Sequence, residues 1–264
     1  MPSKSKSKKS YKNSKMKINK KAVAIIAVIL VLAIVGTSIL IMVNRPEKVY
    51  YDFGKDTARG YDLSEHNGDI DWQALKSEVD FVFIRVGYRG YGTGKICEDE
   101  NARANMKGAQ KANIPFGVYF YSQATSEKEA EEEANFVLKA IALYKVSLPV
   151  IIDYEYPIDE NGENTGRLWE ASLTGEECTS TIKAFCDKVE KFGYMSGIYA
   201  SSYLYNNDIN TKKLGDAVIW VADYNENVST SSPYHIWQYS RTGMSDNIES
   251  KYVDLNYWYS KKQK

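Results

Sequence analysis

The chain is poor in the residues that build disulfides and metal sites. It has three cysteines and two histidines among 264 residues. Cys178 and Cys186 fall on one helical segment about 12 Å apart along its axis, too far to bridge, and Cys97 is remote from both in sequence. No disulfide framework follows from that pattern. His66 and His235 form no HExxH pair and no Cys/His ligand cluster, so neither a metal site nor any other cofactor is expected. A G-x-S-x-G elbow and a Walker loop are also missing, which removes the common serine-hydrolase and NTPase readings.

Net charge is absent too, with 34 basic and 34 acidic residues, but the balance conceals a segregation. Residues 1–21 hold nine lysines and no acid, leaving the remainder at 25 − 34 = −9. Next comes AVAIIAVILVLAIVGTSILIMV (22–43), without a single charge. As a helix it would span about 33 Å, enough for a bilayer core, and a buried core helix does not need so long an apolar surface all round. The expected organisation is a cytoplasmic basic tail (1–21), a transmembrane helix (22–43), a polar linker (44–57) and an extracytoplasmic domain (58–264) facing the cell wall, oriented by the lysines. A cleaved signal peptide is the competing reading; its apolar core is normally shorter, and no clear small-x-small site follows. The tail reads as a topology determinant beside anionic lipid, not as a nucleic-acid arm. Oligomeric state is not legible.

From Ala58 the chain alternates strands and helices. Strands are expected at 59–63, 81–86, 116–121, 148–153 and 195–200, each followed by a helical segment. Ser126 with Glu129 and Thr174 with Glu177 read as capping boxes that open two amphipathic helices. The Glu-rich run 127–133 reads as the solvated start of the first. Three further strands follow at 217–222, 235–239 and 252–255. Five βα units plus three closing strands predict an α/β fold, a TIM-like β/α barrel that ends irregularly.

Chemistry in such barrels gathers at the C-terminal ends of strands. There the stretch VIIDYEY (150–156) places Asp153 and Glu155 two residues apart on one strand face, roughly 6.5–7 Å apart at the backbone. Two carboxylates at that spacing suit acid-assisted cleavage of a glycosidic bond; alone, they equally fit a strand running into a solvated acidic loop. Asp62 ends the first strand, Asp223 follows the sixth and Asp254 lies in the last, so acids from distant stretches are expected at one mouth. Tyr119, Tyr121, Trp220, Tyr224, Trp237 and Gln238 fall near the same strand ends, and aromatic faces pack against pyranose rings. The acidic, turn-rich loop 156–169 follows directly and is expected to narrow the cleft or to be an idle insertion. For Arg85 two roles stay open, pairing with cleft carboxylates or supporting the barrel interior.

At these residues the chain resembles the family-25 glycoside hydrolases, the muramidases often called Chalaropsis-type lysozymes. GYDLS (60–64) with NGDIDW (67–72) resembles their opening signature, and FVFIR (81–85), PFGVYFY (115–121), WVADY (220–224), WQY (237–239) and VDLN (253–256) resemble later strands. The resemblance covers about residues 58–260. It implies a flattened barrel that hydrolyses the β-1,4 bond between N-acetylmuramic acid and N-acetylglucosamine in peptidoglycan glycan strands. By position, Glu155 would be the general acid, Asp153 would orient or polarise the substrate's N-acetyl group, and Asp62 and Asp254 would complete the acidic floor. Asp223 joins the aromatics and Gln238 as expected substrate contacts. A barrel that binds peptidoglycan without cutting it, and a glycosidase for another N-acetyl amino-sugar polymer, are the alternatives.

Overall fold

The computed structural model describes residues 51–263. The expected basic tail, the apolar run 22–43 and the first half of the linker lie outside the described residues. Among those described, no helix is long and apolar enough to cross a membrane.

Eight strands close a barrel: β1 (Thr57–Leu63), β2 (Phe81–Arg89), β4 (Phe116–Ser122), β5 (Val150–Tyr154), β6 (Ser196–Ser201), β7 (Val218–Ala222), β8 (Tyr234–Gly243) and β9 (Val253–Gln263). The expected strands all form. Sequence reading omitted β3 (Ile96–Glu98), a three-residue strand that pairs antiparallel with β2 outside the ring. Pairing is parallel from β1 through β2, β4, β5, β6 and β7 to β8. The last strand instead runs antiparallel to both β8 and β1. That reversal matters, because the start of β9, not its end, reaches the mouth formed by the C-terminal ends of the other strands.

The helices α1 (Trp72–Leu75), α2 (Ala102–Ala112), α3 (Glu127–Ile141), α4 (Gly166–Glu170), α5 (Gly175–Lys191) and α6 (Ser202–Asn207) lie between the parallel strands. Apolar stripes at Ala130, Ala134, Val137 and Ile141 of α3 and at Cys178, Ile182, Phe185 and Val189 of α5 are buried in the outer core. On α5, Thr174 and Glu177 form a complete capping box. On α3, Ser126 accepts from the Glu129 amide, but the Glu129 carboxylate accepts from Thr125 instead of Ser126. The acidic run opening α3 is only partly solvated. Glu133 is fully buried and bound to Arg89, and Glu129 pairs with Arg167, because the helix turns that side onto the sheet.

Inside the ring, alternate residues of each strand point inward and stack in layers. The bottom is plugged by Phe81, Phe83, Ile151, Trp220, Ile236 and Trp258. Phe83 packs between Trp220 and Trp258, with ring centroids at 4.6 and 6.2 Å. Close approach requires glycine at Gly60 and Gly117, where a Cβ would run into the rings of Phe81 and Phe83 respectively. The linker is not wholly free of this core: Phe53 packs on Phe81 and Trp258, and Tyr51 packs on Phe53.

Candidate active site

With the bottom plugged by rings, the inward positions nearer the mouth are left for polar groups. They line a cleft of about 1020 Å³ that contains Asp62, Asp153, Glu155 and Asp254. Four acids from β1, the end of β5 and the start of β9 therefore meet in one place. Asp153 lies within β5, whereas Glu155 lies just past its end, where the Gln123 side chain donates to the Glu155 carbonyl at 3.0 Å and extends the strand face.

A chain of polar contacts fixes the floor. Asp62 Oδ2 accepts from Asn256 Nδ2 at 2.7 Å and from Gln238 Nε2 at 3.0 Å. Asn256 Oδ1 accepts from the Trp220 indole at 2.9 Å. Gln238 Oε1 accepts from the hydroxyls of Tyr199 at 2.9 Å and Tyr224 at 2.7 Å. Asp254 is the register partner of Asp62 across the antiparallel β1–β9 pair, a spacing of about 4.5–5.5 Å between Cβ atoms. Two carboxyls so close share a proton. Burial and then the Asp62 charge raise Asp254, while for Asp62 burial is opposed by the donors Asn256, Gln238 and Asp254. Both carboxyls are thus raised, with Asp254 donating and Asp62 accepting, so the charge that the pair carries lies towards Asp62.

That charge acts on the other two acids. Glu155 is pushed up to about 7, first by burial and then by Asp62. Asp153 rises well above the usual carboxylate range through burial, then through Glu155 and Asp62. Its Oδ1 is buried without a hydrogen-bond partner in the protein. Tyr119 and Tyr121 line the same wall and are raised by burial and the nearby acids, so both remain neutral hydroxyl donors.

Arg85 pairs with no member of the acid quartet. Its guanidinium binds Asp99 at 2.7 Å and Glu65 at 2.9 Å, tying the loop after β1 to the strand β2. A register shift between Arg85 and Gly87 turns Tyr88 to the same face, under the guanidinium at 5.4 Å. The loop after β5 forms one wall through Tyr156, Pro157 and Ile158, and it is anchored by Arg167, which binds the Gln123 carbonyl at 2.8 Å and Glu129.

Of the expected substrate contacts, Tyr119, Tyr121, Trp220, Tyr224 and Gln238 line the cleft. Asp223 and Trp237 do not. Asp223 is buried in the loop after β7, where burial alone would raise it but Ser202, Ser229 and Asn225 hold it at about 2. Trp237 neighbours the inward Gln238 on β8 and must face outward. It joins an external aromatic ladder with Tyr239, Tyr257 and Tyr259, and its indole donates to the Asp223 carbonyl at 2.6 Å. Part of the tyrosine content therefore belongs to that ladder and not to the cleft. Sequence reading missed Tyr199 and Asn256. Strand parity with Asp254 carried the signal for Asn256.

A closed β/α barrel whose mouth gathers four carboxylates between aromatic walls has the architecture of a glycoside hydrolase. The sequence profile described as Glycosyl hydrolases family 25 matches residues 61–248, and the chain belongs to that family. No curated protein matches it. Among solved structures, it resembles the modular autolysin LytC from Streptococcus pneumoniae, with 28% identity over 77% of this chain and a TM-score of 0.64. The chain spans 47% of that autolysin's length. The catalytic domain of an endolysin from a Listeria monocytogenes bacteriophage is also 28% identical, covering 77% of this chain and 94% of its own, with a TM-score of 0.58. The lysozyme from Streptomyces coelicolor shares the fold at 21% identity, with a TM-score of 0.57 over 77% of this chain and 92% of that one.

Proposed function

We propose that the chain is a lysozyme, a Chalaropsis-type 1,4-β-N-acetylmuramidase that cleaves the bond between N-acetylmuramic acid and N-acetylglucosamine in peptidoglycan. The convergence of Asp62, Asp153, Glu155 and Asp254 in one sugar-sized cleft carries this reading. Glu155, raised to about 7, holds a proton near neutral pH and gives it to the glycosidic oxygen as the bond to the anomeric carbon breaks. Positive charge developing on the sugar is stabilised by the ionised Asp62. Asp153 Oδ1, left without a protein partner, is available to the N–H of the 2-acetamido group, whose carbonyl is then aimed at the anomeric carbon. The family membership, and the complex of the pneumococcal autolysin with a synthetic peptidoglycan ligand, support the substrate class.

The nine-lysine tail and the apolar run 22–43 support a single-pass membrane anchor with the barrel on the wall side. Tethering would confine cleavage to glycan near the membrane and raise local concentration there, which suits wall remodelling.

The test is to incubate the full chain with purified peptidoglycan and identify the new reducing ends by mass spectrometry. N-acetylmuramic acid ends are expected. Glu155→Gln should still sediment with peptidoglycan while losing about 10²–10⁴-fold in turnover, the usual contribution of a general acid. Wild-type binding without new ends would make this a binding barrel, and full turnover by the variant would remove Glu155 from its role.

A further inference from the structure

A cleft floor built of carboxyl groups supplies no cation to attract an acidic polymer. Glycan strands of peptidoglycan carry carboxylates, either on the lactyl ether of a bare muramic acid or on the peptide stem, whereas chitin-like polymers carry none. The cleft lining holds the acids Asp62, Glu65, Asp153, Glu155 and Asp254. Its arginines are unequal. Arg85 is committed to Glu65 and Asp99, and Arg89 is buried and committed to Glu133 at 2.6 Å. Arg241 is exposed, lines the cleft, and has no carboxylate within ion-pair distance among the described residues. It is held in place by an aromatic face, its guanidinium carbon 5.4 Å from the centroid of Tyr224. Tyr224 is itself fixed by donating to Gln238, the residue that also holds Asp62.

The surroundings repeat the arrangement. Tyr252 lines the same side of the mouth, 45% exposed, with the Lys251 ammonium 4.8 Å from its ring centroid. Two half-exposed rings, each beside a cation, therefore stand where β8 and β9 rise past the barrel. A ring suits a sugar face, and an uncommitted guanidinium suits a carboxylate through paired N–H donors. Asp254 is near enough to feel Arg241, which opposes part of the rise that burial and Asp62 impose on it.

We propose that Arg241 is a specificity-determining residue that takes a substrate carboxylate at the cleft rim and so selects acidic muramyl glycan over neutral amino-sugar polymers. The inference rests on the muramidase reading. It also gives that reading a source of selectivity that the four acids cannot supply.

The experiment measures kcat/KM for the full chain on two substrates, peptide-bearing glycan strands and strands stripped of peptide, each with carboxylates free or chemically amidated. Amidation should lower the wild-type value by about tenfold, the scale of one exposed charge-assisted hydrogen bond. The substrate that shows the drop identifies the carboxylate, stem or lactyl. In Arg241→Gln the ratio of free to amidated substrate should fall towards one, and Arg241→Lys should recover part of it because the charge returns. Comparing ratios cancels any general loss from disturbing Tyr224, since both forms share the glycan. Equal sensitivity to amidation in wild type and Arg241→Gln would overturn the proposal while leaving the muramidase reading intact. Failure of wild type to cleave any of the four would instead overturn the reading beneath it.

Discussion

The alkaline limb of activity should be set by Glu155, and its position can be moved from β1 and β9. Glu155 rises from 4.5 to about 7, a span of about 2.5 pH units, with burial as the larger cause and the Asp62 charge as the smaller. Asp62 therefore supplies less than half, at most about 1.2 pH units. Replacing Asp62 alone should not release all of this, because Asp254 lies across the register and can take over the negative charge once its partner is neutral. The informative variant is Asp62→Asn with Asp254→Asn, which removes the charge of the shared-proton pair altogether. With less negative charge nearby, ionised Glu155 becomes easier to form and its pKa falls. The alkaline limb of kcat/KM on soluble glycan oligomers should then move to lower pH by about 0.5–1.2 units. Asp62→Asn alone should move it less. A double variant whose limb stays within about 0.2 pH units of wild type, or moves upward, would refute the coupling between pair and acid.

Other outcomes follow from the same contacts. Glu155→Gln should be more stable than wild type at high pH. The folded-state pKa is raised, so the Glu155 contribution is fully present below about 4.5 and lost as pH rises through about 7; urea titrations should differ little at pH 4 and by up to about 3 kcal/mol at pH 9, and equal curves at pH 9 would contradict it. Phe83→Ala should cost about 3–5 kcal/mol, because the ring is fully buried between Trp220 and Trp258, and a loss under about 1 kcal/mol would show that the plug does not hold the barrel. Arg89→Ala should cost a similar 3–5 kcal/mol by thermal unfolding, since it leaves Glu133 buried without its 2.6 Å partner; replacing both by apolar residues should recover most of the loss.

The barrel was legible in the sequence because parallel strands covered by helices on one side and plugged on the other read as short apolar runs. The ring strands other than β1 (TARGYDL) lie where Val, Ile and aromatic residues cluster between turn signals. β3 was not legible: three residues, ICE, carry no period, and only the hairpin back from Arg89 makes them a strand. The acids were legible for a different reason. Asp62, Asp153 and Glu155 end strands that point one way, so the C-terminal-end rule finds them. Asp254 obeys no such rule, since it begins a strand running the other way, and its place at the mouth depends on the antiparallel pairing with β1.

What sequence could not provide was the sign of each neighbour. Gln238 and Trp237 looked equivalent as aromatic-rich strand-end residues, yet adjacent positions on one strand face opposite sides, and only the first reaches the cleft. Strand parity settles such cases once one inward residue is known. Partner choice among charges has no comparable rule. Arg85, Arg89 and Arg241 are the same residue type near the same mouth, but β2 delivers the first two onto acids supplied from 14 and 44 residues away, Asp99 and Glu133. Arg241, raised past the ring on β8, lies over a tyrosine face and has no carboxylate within ion-pair distance among the described residues. The difference between a structural arginine and one free for substrate is thus created by the closure of the barrel, which brings acids into pairing distance of β2 and holds them farther from the β8 rim.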